Sequence, residues 1–420
     1  MADAPAAVVA AAVADAPRRE WGFVLAATVR VTRDLDLAEE CAQDAFARAL
    51  ATWPAAGIPA RPGAWLTTVA RRRALDVLRR EAALRRALPL LVVDEAVEAA
   101  EPEDSSAIAD DRLRLVFTCA HPALHPDARV ALTLRLMCGL TTAEIAKAFL
   151  VAEPTMAARL TRAKKKIALA RIPYRVPDAA QLPERLDAVL TVVHLLFTVG
   201  HTAPSGPDLV RTDLVERARD LARMLRQLLP ADPDVAGLLA LIELSHARRL
   251  TRTDGSGRLL LLEEQDRARW DQAAIAAAVP LVREALRARP PGRFALQAAI
   301  AAVHAEAPSY AETDWREIVA LYGVLLERWP SPVVALNRAV AVGLADGPAA
   351  GLAALEPLGS EPALATYAYL PAARADFLRR LGRYDEAATA YAEAALLTDN
   401  DVERAFLRSR YDEVRAAAAG

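Results

Sequence analysis

Cysteine is scarce in this 420-residue sequence, where it occurs only as Cys41, Cys119 and Cys138. An odd number of cysteines without a CxxC spacing argues against a disulfide framework and against a zinc knuckle. The alanine-rich segment 4–14 follows Asp3 rather than basic residues, so it does not have the pattern of a secretory leader. We therefore expect a reducing compartment and a cytoplasmic protein.

Aromatic residues are also few, with 8 Phe, 8 Tyr and 6 Trp, although 54% of the residues are hydrophobic. Much of the hydrophobic content is alanine, which favours closely packed helices over sheets. We therefore predict an all-α fold. The longest strongly apolar run, residues 188–200, is too short to span a bilayer, so no membrane partner is expected. The chain is too long for one ordinary core, and two to four domains are expected.

Motifs for catalysis or nucleotide binding are missing: the sequence has no GxxxxGK[ST], GxGxxG, HExxH or GxSxG. Cys119, His121 and His125 have a spacing that metal ligands can have, but Pro122 and the apolar surroundings favour the start of a helix. We therefore predict a protein that is not an enzyme and has neither a cofactor nor a metal site.

Lysine is rare as well, and three of the four lysines are adjacent, at positions 164–166. Residues 61–86 contain eight arginines against two acids, and residues 159–175 contain seven basic residues and no acid. Between these two segments, residues 87–111 carry eight acids and no base. Two basic segments separated by an acidic stretch indicate two contacts with a polyanion, and two solvated helix faces are the alternative.

The first half of the chain divides at changes in composition. We predict a flexible tail at 1–20, a helical domain at 21–86, an acidic linker at 87–110 and a second helical domain at 111–175. In the first domain one or two helices are expected over residues 21–52, with Trp53-Pro54 and residues 57–62 marking the end and a loop. The amphipathic basic helix 63–86 follows, with Trp65, Leu66, Val69, Ala70, Leu75 and Leu78 on its apolar stripe.

From residue 176 to the end, Pro and Gly breaks at intervals of 30 to 40 residues are typical of helical-hairpin repeats. The clearest unit is 372–399, which has the turn glycine, aromatic wedge and small crossing residues of a tetratricopeptide hairpin. Earlier hairpins are predicted near 233, 293 and 332. Residues 254–270 are interpreted as a turn followed by the start of a charged helix, without an assigned role.

Segment 139–167 has the pattern of a helix-turn-helix. Thr141 or Thr142 is expected to cap the first helix, Leu150 to Ala152 to form the turn, and residues 153–166 to form the recognition helix. An ordinary hairpin with a charged face is the alternative. The side chains expected to face a DNA major groove or its phosphates are Thr155, Ala158, Arg159, Arg162, Lys164, Lys165 and Lys166.

Residues 34–46 (DLDLAEECAQDAF), residues 63–71 (GAWLTTVAR), Asp76 and Arg79-Arg80 resemble regions 2.2 to 2.4 of extracytoplasmic-function sigma factors. The helix-turn-helix resembles their region 4, so the resemblance covers residues 21–175. It implies a sigma factor that binds the clamp and flap of core RNA polymerase and directs initiation at specific promoters. The implied clamp contacts are Asp34, Asp36, Glu39, Glu40, Gln43, Asp44 and Phe46.

The resemblance also assigns promoter DNA to both basic segments, the minus-ten element to region 2 and the minus-thirty-five element to region 4. A cationic surface beside unstacked bases suits promoter opening, and the arginines expected to supply it are Arg61, Arg71, Arg72, Arg73, Arg79 and Arg80. Trp65 is interpreted either as a core residue or as a stacking platform for a base. The chain departs from the family pattern at Leu150, where glycine is usual, and at Arg72 and Ala157.

Residues 121–151, 170–177 (ARIPYRVP) and 192–202 (VVHLLFTVGHT), with the tetratricopeptide-like end, resemble sigma factors whose C-terminal extension replaces a separate anti-sigma factor. This resemblance implies an intramolecular contact of the extension with region 2 or region 4 that tunes activity. Two other functions remain open at this point. One is a helix-turn-helix regulator with a repeat sensor that does not dock on polymerase, and the other is a repeat scaffold that binds peptides.

Overall fold

A computed structural model describes residues 20–87, 105–149, 151–178 and 181–419 of the chain. Most of these residues are helical, which confirms the predicted all-α class. The chain divides into two compact units, residues 1–196 and residues 197–420, so the first unit extends beyond the predicted boundary at 176. Residues 1–19 of the predicted tail, 88–104 of the predicted linker and Leu150 of the predicted turn lie outside the described residues.

The first unit consists of helices from its first described residue onward. In chain order they are α1 (20–32), α2 (Leu35–Ala56), α3 (Pro62–Ala87), α4 (Ser105–Cys119), α5 (Pro126–Leu136), α6 (Thr142–Ala148), α7 (Glu153–Leu169) and α8 (Leu182–His201). The division between the units falls within α8. Helix α4 begins at Ser105, so helical structure resumes inside the segment that the sequence assigns to the linker.

Helix α2 begins at a side-chain cap and ends at a glycine. Asp34 caps its first turn by accepting a hydrogen bond from the Leu37 backbone N–H at 2.9 Å. The helix continues through Pro54 and ends at Gly57, which adopts φ +82°. Because Pro54 lies in the last turn, its missing N–H removes a single hydrogen bond near the helix end. The helix end therefore falls at Gly57, inside the predicted break, and Pro54 does not interrupt the helix.

Helix α3 buries a narrower stripe than expected. Leu66, Ala70 and Ala74 recur every four residues and are fully buried. Leu75, which was predicted on the stripe, is 41% exposed because it lies one position, about 100°, beyond Ala74 around the helix. Trp65 is half-buried rather than a fully packed core residue.

The helix-turn-helix begins with the predicted cap. The Thr141 backbone N–H donates to the Glu144 carboxylate at 2.8 Å, and the Glu144 N–H donates to the Thr141 hydroxyl at 3.2 Å, which is a capping box. His125 caps α5 by accepting from the Asp127 N–H, which confirms a helix start at this position. Four buried residues then anchor α7 against the unit, namely Met156, Leu160, Ala163 and Ile167.

The second unit continues from α8 as a succession of helices. They are α9 (Thr212–Leu228), α10 (Pro233–Ala247), α11 (Gln272–Ala285), α12 (Arg293–Glu306), α13 (Trp315–Arg328), α14 (Pro332–Ala345), α15 (Pro348–Leu355), α16 (Tyr369–Arg380), α17 (Tyr384–Leu397) and α18 (Asp401–Ala419). Helices begin at the three predicted hairpin positions, residues 233, 293 and 332. Gly382 makes the expected turn with φ +73°, and Ala387, Tyr391 and Ala394 are buried.

Two short strands bring together distant parts of the second unit. Strand β1 (Ser205–Gly206) pairs in parallel with β2 (Asp399–Asn400). The buried Asn400 side chain donates to the carbonyl oxygens of Ala203 and Asp208, each at 2.9 Å. The end of the chain is thereby held against the beginning of its unit.

The segment between α10 and α11 is an ordered loop. Asp254 stabilises its turn by accepting from the backbone N–H groups of Ser256 and Arg258. The expected charged helix after this turn is absent from the loop, which instead contains the 3-10 segments Arg249–Thr251 and Arg267–Arg269. Across the described ranges, no helix is long and apolar enough to span a bilayer.

Candidate nucleic-acid interface

One face of α7 is exposed and carries side chains suited to DNA. Thr155, Ala158 and Arg162 are exposed and recur at three- and four-residue intervals, so they lie along one face. The opposite face of the helix is the buried one. The structure therefore brings these three predicted DNA-binding residues together, beside the exposed Lys165 and Lys166.

Arg159 has intramolecular partners. Its Nη1 lies 3.3 Å from Oδ2 of Asp127 on α5, and its guanidinium lies 5.7 Å from the centre of the Phe149 ring. A quarter of its side chain is exposed. The sequence-based assignment of Arg159 to the groove-facing set thus competes with a role in packing α7 onto α5.

Lys164 also departs from the free lysine that the sequence suggests. Its ammonium lies 2.8 Å from Oδ1 of Asp36 and 2.5 Å from Oε2 of Glu39 on α2. The other carboxylate oxygen of Glu39 lies 2.5 Å from Nη2 of Arg135 on α5. We call Asp36, Glu39, Arg135 and Lys164 the Glu39 cluster.

Within the Glu39 cluster, the neighbouring carboxylates favour the charged form of Lys164. Burial disfavours the ammonium, but the carboxylates of Glu39 and Asp36 outweigh it and raise the pKa of Lys164. Glu39 is only 5% exposed, so its two cations replace the water that a buried carboxylate loses. Within the first unit, the cluster ties the predicted polymerase-binding helix to the predicted recognition helix.

Two further contacts stabilise the packing of the first unit, one made by Tyr174 and the other by Gly139. The Tyr174 hydroxyl lies 2.8 Å from the Ala26 carbonyl oxygen of α1 and 2.9 Å from the Asp111 carbonyl oxygen of α4. Gly139, at φ +66°, lies against the Trp21 ring, where an added Cβ would come within 2.9 Å of it. This close approach requires glycine at position 139.

The remaining predicted polymerase-binding residues have different environments. Asp44 and Glu40 lie near Arg73, with Oδ2 of Asp44 2.8 Å from its Nε. Gln43 is exposed. Phe46 is buried and stacks on Trp21 with ring centres 5.6 Å apart, so its side chain belongs to the core of the unit. A contact of Phe46 with another protein would therefore be indirect.

The basic helix α3 presents most of its predicted arginines to solvent. Arg61, Arg72, Arg79 and Arg80 are exposed and Arg71 is half-buried, whereas Arg73 is paired with Asp44. A surface cavity of about 440 Å³ lies between α2 and α3. Its lining residues are Asp44, Arg48, Trp65, Val69, Arg72, Arg73 and Asp76.

This cavity has the chemistry for an unstacked nucleotide. Trp65 lines the cavity, and its ring makes an edge contact with Trp53 with ring centres 5.5 Å apart. An aromatic face can stack on a base while neighbouring guanidiniums neutralise phosphate. Arg48 is part of this lining but is absent from the sequence-based set, although its spacing of four residues from Asp44 places the two on one face of α2.

Two other residues of this region are not recognisable from the sequence as contacts. Arg135 lies in a mostly apolar helix, and Tyr174 lies in a short loop motif. Arg135 pairs with Glu39, and Tyr174 contacts Ala26. Each partner is more than 90 residues away in the chain, and no sequence pattern predicts it.

The three cysteines are free and buried. Burial raises the pKa of the Cys41 thiol to about 11 and that of Cys119 to about 12. No group of three or more His, Cys, Asp or Glu side chains suited to a metal ion occurs among the residues that the structure describes. The thiols are therefore packing residues.

Comparisons with known proteins place three matches along the chain. Residues 18–84 match Sigma-70 region 2, residues 114–167 match Sigma-70, region 4, and residues 185–286 match a family of unknown function, DUF6596. An uncharacterized protein of Rhizobium meliloti (strain 1021), R00370, is 44% identical over 400 residues, which cover 94% of each chain. No solved structure matches the chain significantly.

Proposed function

We propose that this chain, which matches Sigma-70 region 2 at residues 18–84, Sigma-70 region 4 at residues 114–167 and DUF6596 at residues 185–286, is an extracytoplasmic-function type of sigma factor tuned by its extension. A sigma factor is not an enzyme. It directs transcription initiation by binding core RNA polymerase and promoter DNA, and the polymerase carries out the phosphoryl transfer. The observation that carries this function is the presence of both regions, in order, in one chain.

The two exposed basic surfaces, on α3 and α7, support binding to two different elements of the promoter. In our proposal, α7 enters the major groove at the minus-thirty-five element through Thr155, Ala158 and Arg162. The arginines of α3 and the Trp65 cavity hold the minus-ten element after it is unstacked. Binding free energy there offsets the few kilocalories per mole that unstacking a base costs.

The remaining sequence-based assignments stay part of the same proposal. The polymerase clamp contacts Glu40, Gln43 and Asp44 on the exposed face of α2. Asp36 and Glu39 become available only when Lys164 and Arg135 release them. The conformation with an intact Glu39 cluster is therefore, in this proposal, a closed resting state of the sigma regions.

The extension is proposed to act on region 2 or region 4 through a tetratricopeptide-like surface. A cavity of about 320 Å³ between α11, α12 and α13 has apolar lining residues that include Val279 and Val282. Four carboxylates also line it, those of Glu306, Glu312, Asp314 and Glu317, together with one cation, Arg283, which lies 4.0 Å from Glu306. An apolar lining with an excess of acidic groups suits a basic amphipathic segment, and the sigma regions are rich in such segments.

A transcription experiment tests the proposed function. The full chain is mixed with bacterial core RNA polymerase and genomic DNA fragments, and the 5′ ends of the transcripts are sequenced. We expect a stable complex with core enzyme and a small set of shared upstream sequences. A chain that forms no complex with core polymerase would instead be a helix-turn-helix regulator.

A matched pair of variants separates promoter binding from polymerase binding. Changing Arg79→Glu together with Arg80→Glu should abolish specific transcripts while the complex with core enzyme persists. The control, Arg287→Glu together with Arg316→Glu, makes the same change of net charge at exposed positions of the extension. If the control abolishes transcripts equally, general charge rather than the α3 surface is responsible.

A further inference from the structure

The loop between α10 and α11 has a firmly anchored base. Arg267 is 8% exposed, and its guanidinium donates to the carbonyl oxygens of His304 and Ala307 at 2.7 Å each. Across the base, the ring N–H of the buried Trp270 donates to the Thr251 hydroxyl at 2.9 Å. Hydrogen bonds from a charged donor are among the strong ones in proteins. The base of the loop therefore stays in place when its tip moves.

The tip of this loop, residues 254–264, closes on itself, and we call it the strap. The Asp254 carboxylate accepts from the Arg258 backbone N–H at 3.1 Å and so closes the first half of the strap. The Glu264 carboxylate accepts from the Leu261 N–H at 2.7 Å and closes the second half. Because these hydrogen bonds lie within the strap, the strap can move as one piece without losing them.

Two ion pairs join the strap to helices near the end of the chain. Oε2 of Glu263 lies 3.8 Å from Nη2 of Arg380 on α16. Oε1 of Glu264 lies 3.9 Å from Nη2 of Arg410 on α18. Adjacent strap residues thus bring arginines of two helices to one place, which we call the strap site. The Phe406 ring, 5.2 Å from the Arg410 guanidinium, adds an apolar surface there.

Both ion pairs hold the strap weakly. Their distances are too long for hydrogen bonds, and the side chains of Glu263 and Glu264 are 37% and 28% exposed. Exposed pairs contribute little because water and salt screen them. Each arginine also has a closer carboxylate on its own helix, Asp376 at 2.7 Å from Arg380 and Glu413 at 2.8 Å from Arg410. Release of the strap therefore leaves both arginines paired.

The strap also carries an apolar run on an exposed loop. Residues 259–262 are four consecutive leucines, and each of them is half-buried. Contiguous apolar side chains that reach solvent are typical of interaction sites. The two carboxylates of Glu263 and Glu264 follow this run directly. Apolar residues followed by two acids, placed against two arginines and an aromatic ring, have the chemistry of a bound peptide ligand.

We propose that the strap site binds a peptide segment of a partner protein in which apolar residues precede two adjacent carboxylates, and that the strap is its intramolecular competitor. The peptide carboxylates take the places of Glu263 and Glu264, and its apolar residues replace the leucines. Guanidiniums form charge-assisted hydrogen bonds with carboxylates, whereas the strap reaches them only at ion-pair distance. This site lies in the second unit, so it does not depend on how the sigma regions act.

A peptide that copies the strap is the probe for this site. The acetylated and amidated peptide LLLLEEQ, residues 259–265, is labelled with a fluorophore and titrated with the full chain while its anisotropy is measured. The control peptide LLLLQQQ has the same length and apolar run without the charges. It should bind about two- to thirtyfold more weakly, because it lacks two ion pairs.

Weakening the strap should make the site more accessible. Glu263→Gln together with Glu264→Gln in the full chain should increase the affinity for LLLLEEQ by about two- to thirtyfold, since the tethered competitor loses its two pairs. The matched control is Glu327→Gln together with Glu356→Gln, which removes the same charge at exposed positions of the second unit. This control should bind LLLLEEQ as the natural chain does.

A second pair of variants locates the charge recognition. Arg380→Gln together with Arg410→Gln should abolish the difference in affinity between LLLLEEQ and LLLLQQQ. The control, Arg287→Gln together with Arg316→Gln, removes the same charge at exposed positions and should keep this difference. If the control also loses the difference, the peptide responds to the net charge of the unit, and the strap site is overturned.

Trypsin measures release of the strap in the natural chain. Arg258 is exposed and lies in the strap, and a protease cleaves a segment faster when the segment leaves its packed position. Saturating LLLLEEQ should accelerate cleavage after Arg258, quantified by mass spectrometry, more than LLLLQQQ does. Bound LLLLEEQ without faster cleavage would overturn the competition. Equal affinities of the two peptides, or no binding of LLLLEEQ at millimolar concentration, would overturn the site even if a variant fails to fold.

Discussion

At the scale of the residue, neighbouring side chains on α7 have opposite roles. Arg162 is exposed, and its Nε donates only to the Ala158 carbonyl oxygen of its own helix, at 3.2 Å. Arg159 is held against Asp127 and Phe149. Freeing Arg159 for DNA means breaking contacts that Arg162 does not make, so Arg162 is the better candidate for base recognition.

We therefore expect Arg162→Ala to reduce discrimination between promoter sequences by about 1–3 kcal/mol, the usual value of a good base contact. Binding is measured by titrating the natural promoter and a variant with a changed minus-thirty-five element. Lys165→Ala serves as the control, because a phosphate contact weakens binding to both sequences alike. Equal losses in the two variants would mean that Arg162 contacts phosphate as well.

At this scale the sequence predicts which side chains are exposed better than it predicts their partners. The exposed faces of α3 and α7 are predictable because helical periodicity determines which side chains point away from the core. The pairing of Lys164 with Glu39 is not predictable, since it depends on how two helices more than 100 residues apart in the chain come together. The contacts of Tyr174 with α1 and α4 are not predictable for the same reason.

At the scale of the element, the loop after α7 is a junction. Tyr174 is at hydrogen-bond distance from α1 and α4 at once, and burial raises the pKa of its hydroxyl far above the usual range. The group is thus a neutral donor at any physiological pH. It helps to hold the arrangement of the first unit that we propose is the closed state, which the Glu39 cluster also stabilises.

Tyr174→Phe should loosen this arrangement without changing any group assigned to DNA or polymerase. Removing one buried hydrogen bond costs about 0.5–1.5 kcal/mol, so the open population should rise by up to about tenfold. Hydrogen exchange of the α1 amides and fluorescence transfer between labels on α3 and α7 both measure opening. Tyr384→Phe is the control, and unchanged exchange in Tyr174→Phe would contradict a closed state that depends on this contact.

The order and type of the elements follow largely from the sequence. The capping residue Thr141 and the turn residue Gly382 are local signals, and each lies where it is expected. The loop between α10 and α11 is different, because the buried Arg267 holds it through hydrogen bonds to His304, Ala307 and Thr313. Such contacts are invisible to periodicity, and a charged stretch there resembles a helix.

At the scale of the whole molecule, acid should weaken the second unit. Burial lowers the pKa of His246 and of His304 to about 4 in each case. Between about pH 6.5 and pH 4 the unfolded chain binds protons that the folded chain does not, so the free energy of unfolding falls as the pH falls. The stability contributed by the neutral rings is complete above about pH 6.5.

Urea unfolding at pH 7.5 and pH 4.5, in chloride buffers, measures this loss. We expect a smaller loss for His304→Gln than for the natural chain, because one proton-linked group is removed. His125→Gln is the control, since the side chain of His125 is 76% exposed. A loss of the same size in all three proteins would show that the buried histidine does not contribute.

The division of the molecule was harder to predict than its class. Composition predicts an all-helical protein, the resemblance to sigma factors implies a sigma part, and the spacing of Pro and Gly predicts a repeat part. The boundary was placed at a proline-rich change in composition, yet Arg185 at the start of α8 donates to the Phe117 carbonyl oxygen of α4 at 3.1 Å. A cut at residue 176 would therefore remove a buried partner from the first unit.

In our proposal Glu39 has two alternative partners, Lys164 and the polymerase, and this competition affects holoenzyme assembly. In the proposed closed state this carboxylate neutralises Lys164, so a polymerase that engages Glu39 also releases a cation that phosphates attract. Both ligands then favour the same open state. By linkage, if bound polymerase increases the affinity for the promoter by some factor, bound promoter increases the affinity for the polymerase by the same factor. The free protein would search DNA weakly, and specificity would emerge only after the two regions separate on the enzyme.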